Sequence, residues 1–136
     1  WFLRQVGAVP VERGRGDVGA LRRALELLRE GRVLGLFPEG TRSPDGRLQP
    51  PKRGLGFLVA KAGVPVVPAF LSGTFEAWPK GVRYPRLGRP VSVRYGPPIS
   101  PEEVLALADR DEGYEQVAAL VMARIAQLGG VQAEIH

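Results

Sequence analysis

The sequence lacks the residues that crosslink a small domain or bind zinc within it. Its 136 residues include no cysteine and one histidine, His136. These absences exclude disulfide bonds, cysteine-based zinc sites and a cysteine nucleophile in this chain, and they are compatible with a reducing compartment. No apolar run approaches the roughly 20 residues that a membrane-spanning helix needs.

The composition is that of a folded domain with a basic surface. Hydrophobic residues make up 44% of the chain and charged residues 24%, which is typical of a globular protein with its own core. The formal net charge is +5, and lysine occurs only at positions 52, 61 and 80, so most basic residues are arginine. The arginine fork matches pairs of phosphate oxygens. The charge therefore indicates anionic partners (a phosphorylated metabolite, a nucleotide-bearing cofactor, acidic lipid or nucleic acid), unless it reflects base composition or heat tolerance.

The spacing of apolar residues predicts that strands and helices alternate in the first half of the chain. Strands are predicted over residues 8–11, 33–37 and 64–71, and helices over residues 17–30 and 54–62. The short apolar run 33–37 is typical of a buried parallel strand, whereas two prolines place 64–71 near a sheet edge or at a bulge. This order predicts an α/β fold with a mostly parallel central sheet covered by helices.

Capping and helix-terminating residues predict where the helices begin and end. Asp17 caps the first helix and Gly31 ends it, with an apolar stripe between them formed by Val18, Leu21, Leu25 and Leu28. The helix 54–62 faces inward through Leu55, Leu58, Val59 and Ala62.

The second half is predicted as a loop over 72–90, a half-exposed strand over 91–95 and a helix capped by Ser100. A last helix, with Tyr114, Val117, Val121, Ile125 and Leu128 on its inner face, stops at Gly129-Gly130. With no repeats, the prediction is one domain over 1–136, with a core over about 1–100 and C-terminal helices over about 100–129.

The site loop, residues 37–43, follows the predicted strand 33–37 and carries polar groups suited to phosphate. Ligands of α/β proteins bind beyond the carboxyl ends of strands. Gly40 allows close approach of the backbone, Thr41 and Ser43 supply hydroxyls, and Arg42 supplies a bidentate fork. Glu39 is expected to orient Arg42 or a substrate hydroxyl. An ordinary turn is the alternative, and residues 43–46 (Ser-Pro-Asp-Gly) do read as a turn.

Three sequence blocks in order resemble the lysophosphatidate acyltransferases and the related glycerol-phosphate acyltransferases. The first is Gly-Ala-Val-Pro-Val-Glu-Arg at 7–13, the second is Phe-Pro-Glu-Gly-Thr-Arg-Ser at 37–43, and the third is Val-Pro-Val-Val-Pro at 64–68. The resemblance covers roughly residues 1–100. It implies transfer of an acyl group from a coenzyme A or acyl carrier protein thioester to the sn-2 hydroxyl of 1-acyl-glycerol-3-phosphate, giving phosphatidic acid, with no bound cofactor or metal.

The resemblance also assigns roles to individual residues. Arg13 and Arg42 would grip the phosphate of the acceptor, with Glu39, Gly40 and Thr41 shaping the same pocket. Ser43 is a possible further member. Lys52 and Arg53 precede a predicted helix start, whose amino end attracts anions, so they either join this site or form a solvated basic pair.

The family's general base is missing from the expected place. The resemblance implies a His-x-x-x-x-Asp motif upstream of the first block, but His136 is at the far end with no Asp after it. No catalytic residue is therefore assigned in this chain. The start at Trp1 favours a fragment, expected to be inactive alone. The alternatives are a glycerol-3-phosphate acyltransferase or a non-catalytic phospholipid-binding module.

The basic segment, residues 77–100, combines positive charge with aromatic rings. It contains Lys80, Arg83, Arg86, Arg89 and Arg94, together with Trp78 and Tyr84, and no acidic residue. Such a mixture suits an anionic membrane interface or the phosphates of coenzyme A, and a solvated loop with Trp78 in the core is the alternative. Nucleic acid is not expected. The predicted location is the cytoplasmic face of a membrane, by peripheral contact or through an anchor outside this chain.

Overall fold

The computed structural model describes residues 18–52 and 54–132. They belong to two compact units, of which the first ends at Leu36 and the second begins at Phe37. In the first unit, helix α1 spans Val18–Arg29. Its predicted end is confirmed: the Gly31 amide donates to the Leu28 carbonyl at 3.1 Å, which closes the last turn. The predicted apolar stripe is wrong at Val18, which is 67% exposed. The predicted Asp17 cap lies outside the described residues.

The second unit contains most of the regular structure. Its elements are α2 (Gly54–Ala62), β1 (Ala69–Ser72), α3 (Thr74–Ala77), β2 (Ser92–Tyr95), α4 (Pro101–Ala108) and α5 (Gly113–Gly129). The helix predicted over 54–62 and the predicted stop of the last helix at Gly129-Gly130 are confirmed. The predicted loop over 72–90 also contains the single helical turn α3. Within the described ranges, no helix is long and apolar enough to cross a membrane.

Helix α5 supplies the centre of the core of the second unit. Val117 and Met122 are almost completely buried on it, and Leu55 of α2 and Val104 of α4 pack in the same cluster. Gly56 allows α2 to approach α5 closely, because a Cβ atom at this position would collide with the carbonyl oxygen of Tyr114. Burial of these side chains is the main favourable term in the folding of the unit.

The capping prediction for α4 is confirmed. The Ser100 side chain accepts a hydrogen bond from the Glu103 amide at 3.2 Å, and Pro101 occupies the first helical position. A serine cap satisfies one amide that would otherwise lack a partner at the helix start. Ile99, just before the cap, is 1% exposed, so this junction is anchored in the core.

The sheet of the described residues has two antiparallel strands, β1 and β2. Ala69 pairs with Tyr95 and Ser72 pairs with Ser92, while a separate bridge joins Val66 to Ile99. Three positions separate Val66 from Ala69, but four separate Tyr95 from Ile99, so the second strand carries one extra residue. An extra residue of this kind is a β-bulge. A bulge was predicted within residues 64–71, but the structure has it in the paired segment, between Tyr95 and Ile99.

The mostly parallel sheet is not found among the described residues. Residues 32–37 form no strand, and Val33 is 98% exposed, so the prediction of a buried strand over 33–37 is wrong. An apolar run becomes a strand only where a neighbour supplies ladder hydrogen bonds, and no described segment supplies them to this run. The predicted strand 91–95 does form, but its residues Ser92–Tyr95 are all exposed instead of alternating. The described elements combine helices with a sheet.

Candidate phosphate-binding site

The site loop is a tight turn joined by a hydrogen bond to Lys52. The Gly40 amide donates to the Phe37 carbonyl at 3.0 Å, and the Lys52 amide donates to the Pro38 carbonyl at 2.9 Å. Gly40 has a φ of 64°, in the left-handed region that glycine adopts without steric cost. The loop and Lys52 are therefore held together by backbone contacts.

The side chain of Lys52 lies over Gly40. A Cβ atom built on Gly40 would be 2.9 Å from Cγ and 3.1 Å from Cε of Lys52, closer than ordinary van der Waals contact. A side chain at position 40 would therefore displace the lysine. The structure thus brings one of the two possible basic residues of the sequence prediction to the loop; the other, Arg53, lies outside the described residues.

Glu39 fixes the far side of the loop. Its carboxylate accepts a hydrogen bond from the Gln49 amide at 2.8 Å. Burial raises the pKa of Glu39 above 4.5, and the hydrogen bond from Gln49 partly offsets this rise. Glu39 was expected to orient Arg42 or a substrate hydroxyl. The contact described here is to the backbone of Gln49, so its observed role is to hold the loop's shape.

The two hydroxyl groups of the loop differ in their availability. The Ser43 hydroxyl accepts from the Gly46 amide at 2.9 Å and bonds the Asp45 carboxylate at 3.1 Å. It therefore stabilises the turn at 43–46, as the sequence predicted for that tetrapeptide. Thr41 is exposed, and among the described residues its hydroxyl makes only a 3.5 Å contact with the Arg42 carbonyl, at the limit of a hydrogen bond. Thr41 is thus the freer hydroxyl.

Arg42 is held by groups that carry no charge. Its guanidinium carbon lies 4.8 Å from the centre of the Trp78 ring, and its Nη1 donates to the carbonyl oxygens of Trp78 at 3.5 Å and Pro79 at 3.3 Å. Among the described residues, ion pairs join Arg23 to glutamates of its own unit and Arg124 to Glu103, and none involves Arg42. The positive charge of Arg42 is therefore not neutralised by a described carboxylate.

The partnership between Arg42 and Trp78 was not anticipated from the sequence. Trp78 is 44% exposed and lies against Arg42, so the alternative that it packs into the core is wrong. The two residues are 36 positions apart, and no spacing rule connects them. The sequence placed Trp78 among the basic residues of a predicted loop and gave no signal for a contact with Arg42.

The exposed part of the basic segment presents apolar and cationic groups together. Tyr84 is 68% exposed and Leu87 is 94% exposed, and Arg83 lies over the Tyr84 ring at 5.3 Å. Arg94 differs from the other basic residues of the segment, because it donates to the Leu128 carbonyl of α5 at 3.1 Å. The segment therefore has a solvent-facing tip and a base bound to the core unit.

Two residues singled out in the sequence lie outside the described residues. Arg13, expected to grip the phosphate together with Arg42, lies outside the described residues, as does His136. Among residues 18–52 and 54–132, no cluster of three or more His, Cys, Asp or Glu side chains is arranged to hold a metal ion. The described site therefore consists of Gly40, Thr41, Arg42 and Lys52 with Glu39 as its brace.

The chain belongs to the acyltransferase family, whose model matches residues 1–72. Among its relatives is a chloroplastic 1-acyl-sn-glycerol-3-phosphate acyltransferase of Brassica napus, 47% identical over 83 residues, which cover 60% of this chain and 24% of that protein. A 1-acyl-sn-glycerol-3-phosphate acyltransferase of Bacillus subtilis is 32% identical over 93 residues, covering 66% of this chain and 46% of that protein.

A solved structure supports the same relationship. The crystal structure of the 1-acyl-sn-glycerophosphate (LPA) acyltransferase PlsC from Thermotoga maritima aligns with a TM-score of 0.68 and 32% sequence identity. The alignment covers 94% of this chain and 50% of that one. The chain thus spans between about a quarter and a half of the length of these relatives.

Proposed function

We propose that the full-length protein is a 1-acyl-sn-glycerol-3-phosphate acyltransferase, which forms phosphatidic acid by acylating the sn-2 hydroxyl of lysophosphatidate. The acyl donor is a thioester of coenzyme A or of acyl carrier protein. The observation that carries this proposal is the environment of Arg42, which lies in the motif that resembles the family's. An aromatic ring and two carbonyl oxygens hold its guanidinium group, and no described carboxylate pairs with it. The relatives from Brassica napus and Bacillus subtilis are named 1-acyl-sn-glycerol-3-phosphate acyltransferases.

In this proposal, the chain supplies the half of the active site that binds the acceptor. Arg42 binds the acceptor phosphate, and Lys52 adds a second positive charge above Gly40. Arg13 is the third basic residue that binds this phosphate. Fixing the phosphate places the glycerol hydroxyl in line with the thioester carbonyl, which lowers the entropic part of the barrier. The general base is a histidine of a His-x-x-x-x-Asp motif outside this chain, and the mostly parallel sheet of the family fold belongs to the complete domain.

The reaction is a balanced acyl transfer. The base removes the proton of the sn-2 hydroxyl as its oxygen attacks the thioester carbonyl. The new C–O ester bond forms, the C–S bond breaks, and the thiol of the donor leaves with a proton. The acceptor phosphate does not take part in these bond changes, so Arg42 is expected to affect acceptor binding more than donor binding.

The experiment compares Arg42→Ala with Arg47→Ala in the full-length protein. Arg47 is an exposed arginine only five positions along the chain, so its removal is a matched loss of charge. Loss of a charge-assisted hydrogen bond costs about 1.5–3 kcal/mol, which corresponds to a roughly 10- to 100-fold increase in the KM for lysophosphatidate. The KM for the thioester is expected to stay within about two-fold of wild type in both variants.

The same assay separates the alternatives. An equal rise in both KM values for Arg42→Ala would contradict a role in acceptor binding. Preferential acylation of glycerol 3-phosphate would identify a glycerol-3-phosphate acyltransferase. Phospholipid binding without thioester-dependent product would identify a non-catalytic module. The present chain, assayed alone, is expected to be inactive, and activity in it would disprove the need for an external histidine.

We further propose that the exposed part of the basic segment attaches the protein to an anionic membrane surface, at the cytoplasmic face of the membrane. Support comes from the exposure of Tyr84 and Leu87 beside Arg83, Arg86 and Arg89. Aromatic rings favour the headgroup level, and each basic residue near an anionic surface contributes about 1 kcal/mol. The phosphates of coenzyme A are the other anion that this surface would fit.

Vesicle co-sedimentation tests this attachment. Replacing Arg83, Arg86 and Arg89 by glutamine removes about 3 kcal/mol of binding free energy, about 1 kcal/mol for each arginine. Binding to phosphatidylserine-containing vesicles is therefore expected to weaken about 100-fold. The control replaces three exposed arginines elsewhere, Arg22, Arg29 and Arg32, with the same change in net charge. Equal losses in the two triple variants would show that only the overall charge matters.

A further inference from the structure

Trp78 is held in place by hydrogen bonds from its side chain and from its backbone amide. Its indole N–H donates to the Val82 carbonyl at 2.8 Å, and its backbone amide donates to the Thr74 carbonyl at 2.8 Å. The Arg86 amide donates to the Ala77 carbonyl at 2.7 Å, which closes the loop that contains the ring. A buried or half-buried indole usually finds such a partner for its N–H group. The orientation of the ring is therefore fixed before any ligand binds.

The fixed ring and its neighbouring carbonyls hold only part of the Arg42 guanidinium. The described bonds all use Nη1, and within residues 18–52 and 54–132 neither Nη2 nor Nε of Arg42 makes a hydrogen bond. An arginine has five N–H donors in a planar fork, so donors remain for an anion. The ring face attracts the cation through its quadrupole but does not cancel its charge.

This arrangement differs from the usual way of fixing an arginine. A carboxylate partner would hold the guanidinium equally well, but it would neutralise the charge and compete with a phosphate for the same donors. Trp78 and Pro79 supply a ring and carbonyl oxygens instead. A side chain as long as arginine loses much of its rotamer freedom when it binds a ligand, and prior ordering reduces this cost.

We propose that Trp78 is a positioning residue that orders Arg42 for the acceptor phosphate while leaving its charge available. The proposal deepens the function proposed above and rests on it for the identity of the acceptor. Trp78 itself touches neither substrate in this scheme. Its loss is expected to weaken acceptor binding, with little effect on the donor.

The experiment measures both KM values of the full-length protein in mixed micelles of fixed composition, so that vesicle attachment does not contribute. Trp78→Leu removes the ring face and is expected to raise the KM for lysophosphatidate about five-fold, as for loss of a cation–π contact. Trp78→Phe retains an aromatic face and is expected to restore most of the affinity. The control is Tyr114→Leu, which removes a ring that contacts Phe57, and both KM values should stay within about two-fold of wild type.

A second readout separates the failure of this inference from the failure of the proposed function. Calorimetry measures binding of glycerol 3-phosphate, the phosphate-bearing part of the acceptor, by the same variants. If the wild type makes no phosphatidic acid but Trp78→Leu weakens this binding, the proposed reaction is wrong and the positioning role stands. If Trp78→Leu changes neither the acceptor KM nor this binding, or if Trp78→Phe behaves like Trp78→Leu, the positioning role is wrong. Absence of binding and of product in the wild type overturns both.

Discussion

The contact between Gly40 and Lys52 makes Gly40→Ala a measurable test of the site. The substitution has two separate costs. At a φ of 64°, alanine is less stable than glycine in the folded state by about 1–2 kcal/mol. Alanine also lowers the conformational entropy of the unfolded chain, which offsets part of this difference, so the free energy of unfolding should fall by about 1 kcal/mol. The new Cβ atom would also lie 2.9 Å from Cγ of Lys52 and would push that side chain away.

The displacement of Lys52 is expected to weaken phosphate binding by a calculable amount. If the ammonium moves from about 4 Å to about 5 Å from the phosphate, the attraction falls by about 0.8 kcal/mol at an effective dielectric constant of about 20. This change corresponds to about a four-fold rise in the acceptor KM. The thioester KM is expected to remain as in the wild type.

Gly63→Ala provides a matched control for the backbone cost. Gly63 has a φ of 60°, and a Cβ atom there would meet nothing within 4 Å. The two variants should therefore lose similar free energies of unfolding in urea, but only Gly40→Ala should raise the acceptor KM. A four-fold rise in both variants would mean that general destabilisation is responsible. An unchanged acceptor KM in Gly40→Ala would refute the placement of Lys52 in the phosphate site.

Three further changes test the fold around the site. Gly56→Ala places a methyl group against the Tyr114 carbonyl. Because a backbone carbonyl cannot rotate away as a side chain can, the free energy of unfolding measured by urea denaturation should fall by about 1–3 kcal/mol. Ser100→Ala removes the cap on the Glu103 amide and should cost about 1 kcal/mol by the same measurement. Burial raises the pKa of Glu39, so the folded state binds the extra proton between pH 4.5 and that raised pKa. Stability should fall as the pH rises through this window in the wild type but not in Glu39→Gln.

Each of these changes has its own control. Gly35→Ala, where a Cβ atom meets nothing within 4 Å, should leave stability within about 0.5 kcal/mol of wild type. Ser100→Asp retains an oxygen acceptor and should keep most of the cap. The control for Glu39→Gln is Glu115→Gln, which replaces an exposed carboxylate and should leave the pH dependence of stability as in the wild type. An identical fall with pH in Glu39→Gln and Glu115→Gln would show that Glu39 is not its source.

Local signals in the sequence were sufficient for α2, for the start of α4 and for the end of α5. Ser100 followed by Pro101 predicted a helix start because capping depends only on neighbouring residues. The same holds for the turn at 43–46, whose hydrogen bonds span three positions. At position 40, glycine was predicted because it lets the backbone approach a ligand, and the structure adds a φ of 64°, which glycine adopts without steric cost.

Features that depend on distant partners were predicted less well. Residues 33–37 have the composition of a buried strand, but a strand requires a neighbour that the run itself does not specify. The pairing of β1 with β2 is antiparallel, which the strand composition did not reveal. In the site, Glu39 was expected beside Arg42 because they are close in sequence, yet Trp78 takes that place after a separation of 36 positions.

The central position of α5 has a consequence for biosynthesis. The core partners of α2, among them Val117 and Val121, are made about 60 residues after Leu55 has left the ribosome's peptidyl transferase centre. Until then, α2 lacks its main packing partner, and the site loop adjoining it is attached to an incompletely packed helix. The acceptor site is therefore expected to acquire its shape late in synthesis, and a ribosome stalled before residue 113 would carry a nascent chain that chaperones bind.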